Sequence, residues 1–313
     1  MTGEIQAKIT SLILGESPSI KKARSLIEKV APFDLPVLVE GPTGSGKELV
    51  AQALHRASGR TGKLEALNVC AISESLFESE LFGYAKGAFT GATSDKPGYL
   101  STANGGTLFL DEISSLALAS QAKLLRAIET LTFRPAGATS DRRSDFRVVA
   151  ATNEPIRALV ESGRVRRDFA QRLAGIVIRL PPLRERAEDI PLLARSFVRA
   201  ASNHNELLEL TECALRVIQS YAWPGNVRDL KHVVERAILI ADGPKITAHE
   251  ILASIAQGID AFHDHVPRAG ERKRLLEVLI QHEGNTSTAA SELKVNLGHI
   301  RRVFGWRVTR WRR

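Results

Sequence analysis

Cysteine is scarce in this sequence of 313 residues: Cys70 and Cys213 are its two examples, far apart and without the spacing of metal ligands. So few cysteines exclude a disulfide framework and a zinc finger. The start lacks a basic segment leading into an apolar run, and no apolar stretch approaches the roughly 18 residues of a membrane span. We therefore expect no secretion and no membrane insertion, and a cytoplasmic location.

The composition is that of an ordinary globular protein. Hydrophobic residues make up 43% of the chain and charged residues 25%, which excludes a disordered or fibrous protein. At roughly 150 residues for each domain, the length predicts about two domains. The chain is long enough to bury a substantial core.

The net charge of +8 is concentrated at the end of the chain. Residues 267–313 include 11 Lys or Arg against 4 Asp or Glu, a net charge of +7 that leaves +1 for everything before. A compact basic end on a nearly neutral body indicates an anionic partner, and nucleic acid fits it best. The alternative is a charge run that is only solvated by water.

Short apolar runs rich in branched residues alternate with segments of helical period in the first part of the chain. This alternation predicts an α/β fold with a parallel sheet wrapped by helices. The runs are 37–39, 66–69, 107–110, 148–151 and 176–178.

After Pro181-Pro182 the strand signals stop, and the pattern is helical to about Ile255. The apolar stripes there are Ile190, Leu193 and Phe197, and then Leu230, Val233, Val234 and Ala237. Four consecutive segments are therefore predicted: an α/β domain over 1–182, an all-helical lid over 183–256, a linker over 257–270, and a terminal domain over 271–313.

The segment Gly41-Pro42-Thr43-Gly44-Ser45-Gly46-Lys47 has the spacing of a phosphate-binding loop. In such a loop, glycines let backbone N–H groups curl around phosphates, and the next helix points its N-terminus at the anion. The lysine reaches the outer phosphates. Because the loop follows an apolar run and opens a helical segment, we predict nucleotide binding; the alternative is a glycine-rich turn.

An acidic pair, Asp111-Glu112, ends the apolar run 107–110, where a parallel strand presents its carboxyl end to a ligand. Glu48 stands where the general loop motif has Ser or Thr as a Mg²⁺ ligand, so the metal needs another protein ligand. Asp111 is expected to hold Mg²⁺ directly or through water, and Glu112 to polarise an attacking water. Hydrolysis is therefore predicted; the alternative is an acidic helix cap after a buried strand.

Further motifs resemble those of a known family. Glu78-Ser79-Glu80-Leu81-Phe82-Gly83 leads into Gly87-Ala88-Phe89-Thr90-Gly91-Ala92. From about Ile13 to Ile255 the chain resembles the bacterial enhancer-binding proteins, AAA+ ATPases that activate RNA polymerase carrying sigma-54; Glu48 is their usual residue after the loop lysine. The resemblance implies that residues 87–92 contact sigma-54. Without it, they are interpreted as a flexible tip exposing one aromatic ring between glycines.

The resemblance also implies roles for polar residues beyond the loop. Asn68 resembles the residue that couples the nucleotide state to Glu112, and Thr152-Asn153 resembles the sensor of the terminal phosphate. Arg228 resembles a lid sensor that contacts nucleotide. Without the family, Asn68 is more simply a turn amide and Asn153 the start of a helix. Asn226 is then a helix cap and Arg228 a surface cation.

Arg166 and Arg172 match the arginines that the family inserts into a neighbouring subunit's nucleotide site. A cation supplied in this way can raise the rate on the order of 10³-fold or more. The resemblance therefore implies a homo-oligomeric ring with shared sites, expected to be a hexamer, that hydrolyses ATP with Mg²⁺. Taken alone, an Arg-rich helix is more simply a solvated face.

The end of the chain resembles the Fis-like helix-turn-helix that these activators use on upstream DNA. Leu275, Leu276, Val278 and Leu279 are expected in its first helix, and residues 288–293 in its second. Residues 297–304 would lie in the major groove and present His299, Arg301 and Arg302. The match is weaker here, because Gly298 costs that helix about 1 kcal/mol relative to Ala and residues 305–313 depart from the family's ending.

The resemblance begins close to Met1, so no receiver or sensory domain is expected, and control falls to a separate regulatory protein or to abundance. The expected function is ATP-driven remodelling of sigma-54 RNA polymerase from closed to open complexes. Two alternatives stay open. One is an AAA+ remodeller or loader acting without sigma-54, and the other is a DNA-binding regulator with a vestigial nucleotide site.

Overall fold

The computed structural model describes residues 2–201, 208–262, 274–275, 277–279, 281–282, 285–296 and 298–299. The chain divides into two compact units. The first comprises Met1–Leu14 and Pro18–Pro181, and the second comprises Gly15–Ser17 and Pro182–Arg313. No helix within the described ranges is long and apolar enough to cross a lipid bilayer.

The first unit is built on a sheet of five parallel strands. They are β1 (Val37–Glu40), β2 (Leu64–Asn68), β5 (Thr107–Asp111), β8 (Arg147–Thr152) and β9 (Ile176–Arg179), in the spatial order β2-β5-β8-β1-β9. The five apolar runs of the sequence form these five strands. The predicted α/β class with a parallel sheet is therefore confirmed.

Helices cover both faces of this sheet. They are α1 (Thr2–Leu12), α2 (Pro18–Val30), α3 (Lys47–Ala57), α4 (Glu74–Phe82), α5 (Tyr99–Thr102), α6 (Leu118–Thr130), α7 (Ile156–Glu161) and α8 (Arg167–Leu173). Successive strand residues point to opposite faces. Along β8, Val148 and Ala150 therefore pack into one hydrophobic core, and Val149 and Ala151 into the other.

Two short antiparallel hairpins stand apart from the main sheet. The strands β3 (Gly83–Tyr84) and β4 (Lys96–Pro97) form the first, and β6 (Thr132–Phe133) and β7 (Arg142–Arg143) form the second. The hairpins are joined by backbone hydrogen bonds from Ala85 N to Ala136 O (2.9 Å) and from Ala136 N to Gly83 O (2.9 Å). Strands of two residues are too short to leave a periodic signal in the sequence.

The second unit is mainly helical, as predicted for the lid. Its helices are α9 (Ile190–Ala201), α10 (Glu212–Ser220), α11 (Asn226–Ile240) and α12 (Ala248–Phe262). The prediction of an all-helical lid needs one correction, because β10 (Glu209–Leu210) and β11 (Lys245–Ile246) pair as short parallel strands.

The apolar stripes of the second unit are largely as predicted. Every residue of the α11 stripe is buried: Leu230, Val233, Val234 and Ala237. On α9, Ile190 and Leu193 are buried, but Phe197 is half-buried and Val198 lies in the core instead. Ile190, Ala194 and Val198 are spaced by four residues, so they lie on one face of the helix.

The lid extends beyond its predicted end. Because α12 continues to Phe262, residues 257–262, predicted as the start of a linker, are helical. The rest of that linker, 263–270, lies outside the described residues. The predicted boundaries between the four segments stay predictions.

One helix of the terminal segment is described in full, Thr286–Glu292. Asn285 precedes it, and the Asn285 side chain accepts hydrogen bonds from Ser287 N (3.1 Å) and Thr288 N (3.3 Å). Such a cap satisfies backbone donors that a helix start leaves unbonded. The predicted helix-turn-helix stays a prediction, since Leu276 and most of 297–304 lie outside the described residues.

Candidate functional site

Three functional candidates, Asn68, Asp111 and Thr152, lie with Glu40 where neighbouring parallel strands end. The sheet register pairs Asn68 with Asp111, and Glu40 with Thr152. Because the strands are parallel, these four residues share the carboxyl edge of the sheet, where ligands bind in such folds. The fold thus brings together residues that are far apart in the sequence.

The phosphate loop, residues 41–46, connects β1 to α3 at this edge. Gly44 and Gly46 have φ angles of 75° and 104°, left-handed values that favour glycine. Gly46 precedes α3, and in the described part of the chain no side chain caps this helix. The first N–H groups of α3 are therefore left for an anion.

Lys47 is largely buried at the start of α3. Its Nζ donates to Gly41 O at 2.9 Å and lies 3.6 Å from Glu112 Oε1. One ammonium group thereby joins the phosphate loop to the acidic pair. From this position it can reach the outer phosphates of a bound nucleotide.

Glu112 adopts a backbone conformation that is uncommon for a residue with a side chain. Its φ of 59° and ψ of 53° are left-handed, and its N–H donates to Asp111 Oδ1 at 3.1 Å. Such residues cost on the order of 1–3 kcal/mol and cluster at functional sites. The sequence shows the acidic pair but not this strain.

Asn68 acts as a turn amide, which is the role expected of it without the family resemblance. Its Oδ1 accepts a hydrogen bond from Cys70 N at 3.0 Å and caps the short helix Val69–Ala71. Cys70 Sγ also lies 2.9 Å from Ser115 Oγ, which follows Glu112 closely in the chain. The coupling of Asn68 to Glu112 stays a prediction.

Thr152 and Asn153 follow the end of β8. Thr152 is fully buried, Gly41 N donates to its carbonyl oxygen at 3.1 Å, and its Oγ1 accepts from Glu154 N at 3.2 Å. Asn153 is exposed. Since α7 begins at Ile156, after Pro155, and Ile156 N donates to Glu40 Oε1 at 2.9 Å, the alternative role of Asn153 as the helix start is wrong.

Glu48 lies exposed in the first turn of α3. Its Oε1 accepts a hydrogen bond from Gln52 Nε2 at 3.3 Å, one helical turn further on. The carboxylate therefore follows the helix surface. A role of Glu48 in nucleotide binding stays a prediction.

Arg166 forms a two-pronged ion pair with Asp168. Its Nη2 lies 2.7 Å from Asp168 Oδ2, and its Nε donates to Oδ1 at 3.1 Å. The Arg166 guanidinium lowers the pKa of Asp168 to about 2, and the carboxylate raises the pKa of Arg166. Both groups are therefore charged throughout the neutral pH range.

A buried amide that the sequence reasoning missed fixes the backbone beside Arg166. Gln121 is fully buried on α6, where its Oε1 accepts from Arg166 N at 2.9 Å. Its Nε2 donates to Leu116 O (2.8 Å) and Arg164 O (2.9 Å). The available signal was its spacing, because Gln121 shares a helical stripe with the buried Leu124.

Arg172 is exposed on α8, and its Nη2 donates to Ile128 O at 3.3 Å. Within the described structure, the hydrogen bonds of the two guanidinium groups therefore go to Asp168 and Ile128. They do not go to the phosphate loop of the same chain.

The segment 87–92 forms the tip of the first hairpin. Gly87 and Gly91 have φ angles of 83° and 105°, and Gly87 N donates to Ala92 O at 2.8 Å. The Phe89 side chain is 49% exposed, and its ring meets the Tyr84 ring edge-on at 5.0 Å. The tip thus displays an aromatic ring held by local bonds.

Arg228 belongs to the second unit, in the first turn of α11, where it is exposed. The alternative role of Asn226 as a helix cap is wrong, because Gly225 holds that position. Asn226 is buried with a left-handed φ of 56°, and its Oδ1 accepts from Leu183 N at 2.8 Å. The amide therefore ties α11 to an earlier segment of the same unit.

Of the predicted DNA-contacting residues, His299 is described. Its N–H donates to Asn296 O at 2.9 Å and to Asn296 Oδ1 at 2.7 Å. Arg301 and Arg302 lie outside the described residues. The DNA contact stays a prediction.

The residues at the carboxyl edge fit a nucleotide. A Cβ added at Gly41 would lie 2.7 Å from Leu180 O, so only glycine fits the start of the loop. Among the described residues, no group of three or more His, Cys, Asp or Glu could enclose a metal ion. Mg²⁺ does not need one, since it binds through one or two carboxylates together with phosphates and water. The Asp111 carboxylate suits that role.

Comparison with family models identifies two regions of the chain. Residues 13–179 match the sigma-54 interaction domain, and residues 184–265 match an AAA+ ATPase lid domain. Together they cover most of both units up to the end of α12, while α1 precedes the first match.

Several curated relatives are regulators of transcription. The chain is 38% identical over 310 residues to the response regulator protein PilR of Pseudomonas aeruginosa, covering 95% of this chain and 69% of PilR. It is 40% identical over 290 residues to the transcriptional regulatory protein ZraR of Escherichia coli, covering 90% of this chain and 66% of ZraR. The chain thus spans about two thirds of the length of these relatives.

Solved structures show the same fold. The crystal structure of NtrX from Brucella abortus in complex with ADP aligns with a TM-score of 0.70 and 30% identity, covering 95% of this chain and 70% of NtrX. A RuvB mutant of Thermotoga maritima aligns with a TM-score of 0.51 at 18% identity, covering 91% of this chain and 85% of RuvB. The second likeness concerns the fold alone.

The backbone of Glu112 predicts an unusual order of stability at this position. With a left-handed φ, Glu112→Gly should be more stable than Glu112→Ala by about 1 kcal/mol, because glycine alone avoids the Cβ strain. The midpoints of urea unfolding measure the difference. Arg126, exposed within α6, provides the matched pair. There Arg126→Gly should be less stable than Arg126→Ala by about 1 kcal/mol, and the same order at both positions would contradict the assignment.

Proposed function

The chain belongs to the sigma-54-dependent transcriptional activator family, and on that premise we propose that it hydrolyses ATP to remodel sigma-54 RNA polymerase from closed to open complexes. The observation that carries the proposal is the position of Lys47, between Gly41 O and Glu112 Oε1. Lys47 joins the uncapped start of α3, which suits phosphates, to the Glu112 carboxylate, which suits the activation of water.

In the proposed reaction, the phosphates of ATP bind to backbone N–H groups of the phosphate loop and of the start of α3, and to Lys47. Glu112 accepts a proton from a water whose oxygen attacks the terminal phosphorus, and ADP leaves with the electrons of the broken P–O bond. When bound, Mg²⁺ neutralises phosphate charge, and Asp111 is the residue that would hold it. Asn153 contacts the terminal phosphate, and Asn68 couples the loss of that phosphate to Glu112. Arg228 of the lid also contacts the nucleotide.

The site is completed by a neighbouring subunit in a homo-oligomeric ring, proposed to be a hexamer. Arg166 and Arg172 are exposed on and beside α8, and the buried Gln121 fixes the backbone from which Arg166 extends. A guanidinium on a rigid backbone can add positive charge to a transferring phosphate in the adjacent subunit. Each site then needs residues of two chains.

Hydrolysis is proposed to move the aromatic tip 87–92 against sigma-54. Phe89 and Thr90 lie at the turn, and the ring of Phe89 is half in solvent. An exposed ring of this kind can anchor a protein contact, because it buries a large apolar area with little loss of freedom. A partner contact made through ATP-driven motion would convert hydrolysis into remodelling.

Sharing of the site predicts complementation between two inactive variants. Glu112→Gln should bind ATP without turnover, and Arg166→Ala should lose about 10³-fold of the turnover rate, because each lacks one half of the site. Mixed in equal amounts under assembly conditions, the two should recover about a quarter of wild-type turnover, since random mixing completes about a quarter of the sites. A coupled ADP-release assay measures this.

The control mixes Glu112→Gln with Lys47→Ala, which both damage the same half of the site. That mixture should stay inactive. If the first mixture also stays inactive while native mass spectrometry shows mixed rings, the sites are not shared.

The tip 87–92 predicts a separation of two activities. Phe89→Ala and Thr90→Ala should keep ATP turnover within about twofold of wild type and lose open-complex formation, because the tip is distant in the chain from the phosphate loop. Open complexes are scored on a supercoiled promoter with sigma-54 polymerase. Phe33→Ala removes an equally exposed ring, 60% accessible, outside the hairpin, and should affect neither activity. Unchanged promoter opening in Phe89→Ala would refute the assignment of residues 87–92 as the sigma-54 contact.

The basic end of the chain is proposed to bind upstream DNA through a helix-turn-helix. The support is its charge, +7 over residues 267–313, and the capped helix Thr286–Glu292. A helix of this kind can present side chains to the major groove, and the charge attracts the phosphate backbone. Within the proposal, His299, Arg301 and Arg302 make the contacts.

Binding at different salt concentrations tests this proposal. Arg301→Ala and Arg302→Ala should weaken DNA binding, and each lost phosphate contact should lower the slope of log K against log[salt] by about 1. Arg157→Ala, an exposed arginine of the first unit, should leave the slope unchanged. Equal slopes for all four proteins would place DNA binding elsewhere.

A further inference from the structure

Glu40 is a buried carboxylate that the reaction proposed above does not use. It is the last residue of β1, directly before the phosphate loop, and its side chain is 8% exposed. A buried charge is costly unless hydrogen bonds compensate for it. Its partners therefore indicate what the residue is for.

The two carboxylate oxygens of Glu40 bond to two different segments. Oε1 accepts from Ile156 N at 2.9 Å, and Oε2 accepts from Arg179 Nε at 2.8 Å. Arg179 ends β9, and Ile156 begins α7, after the exposed Asn153. Glu40 thus connects the ends of β1 and β9 with the segment that follows β8.

The segment 152–156 is held at both ends by the residues beside the phosphate loop. At its first residue, Gly41 N donates to Thr152 O at 3.1 Å. At its last residue, Ile156 N donates to Glu40. Since Glu40 and Gly41 are adjacent, the segment and the loop are clamped to the same point of the chain.

We propose that Glu40 is a positioning residue that holds Asn153 in register with the phosphate loop, so that Asn153 can meet the terminal phosphate of ATP. This inference rests on the proposed ATPase function. Glu40 itself does not touch the nucleotide. It acts through Ile156 N and Arg179, which fix where the segment carrying Asn153 lies.

The expected phenotype is a loss of discrimination between triphosphate and diphosphate. Glu40→Gln keeps an acceptor for Ile156 N but places an amide N–H₂ or a neutral oxygen against the Arg179 guanidinium, which loosens the clamp. ADP affinity should change less than about twofold, whereas kcat and the preference for ATPγS over ADP should each fall by about tenfold, as a small misplacement of a site residue can cause. A general loss of structure would weaken ADP binding as well.

The decisive experiment is a double-mutant cycle with Asn153→Ala, read out as kcat and as the ratio of ATPγS to ADP affinity. If Glu40 acts through Asn153, Glu40→Gln should have little further effect in the Asn153→Ala background. Arg179→Met should give a smaller effect of the same kind, because it leaves the bond to Ile156. Glu161→Gln, an exposed carboxylate on α7, should leave both quantities unchanged.

Three outcomes overturn the inference. Effects of Glu40→Gln and Asn153→Ala that multiply show that Glu40 acts independently of Asn153. Wild-type values of kcat and of the affinity ratio in Glu40→Gln show that the two hydrogen bonds of Glu40 are not needed. If Glu40→Gln fails to fold, the same two quantities are measured in Arg179→Met. A wild-type protein without ATP turnover removes the proposed function itself, which distinguishes that failure from failure of the clamp alone.

Discussion

The phosphate loop depends on its attachment to the carboxyl edge of the parallel sheet. The hydrogen bond from Gly41 N to Thr152 O continues the pairing of β1 with β8 by one residue. The loop therefore begins from a fixed point, and the left-handed Gly44 and Gly46 can turn the chain toward α3. Because the uncapped start of α3 is presented at the same edge, an anion bound there meets backbone dipoles that need no rearrangement.

Charge at this edge is organised around Lys47. The ammonium lies between a backbone carbonyl and Glu112, whose left-handed backbone turns away from the line of β5. A phosphate entering the loop would compete with Glu112 for the ammonium, since both are anions. The strain at Glu112 is thus consistent with a residue held in place for chemistry at some cost in stability.

The sequence predicts the features that depend on local pattern, and it misses those that depend on long-range partners. Apolar runs and glycine spacing were sufficient for the five strands and the phosphate loop. Gln121 and Glu40 could not be found in that way, because their partners are Arg166 N, Ile156 N and Arg179, distant in the chain. The strands β10 and β11 were missed for a different reason, because two residues show no period.

The first unit contains backbone segments fixed by buried polar side chains and, in contrast, the exposed hairpin tip 87–92. Asn153 and Arg166 project from backbones that the buried Glu40 and Gln121 hold in place, which in the proposed mechanism fixes both residues for contact with a nucleotide. The tip around Phe89 is held by bonds within its own turn, by the edge of the Tyr84 ring and by Ala88, which lies against Gly137 beyond the second hairpin's first strand. Local bonds of this kind open at low free-energy cost. Motion produced at the rigid edge would therefore be expressed at the tip, where a partner can be moved without disturbing the site.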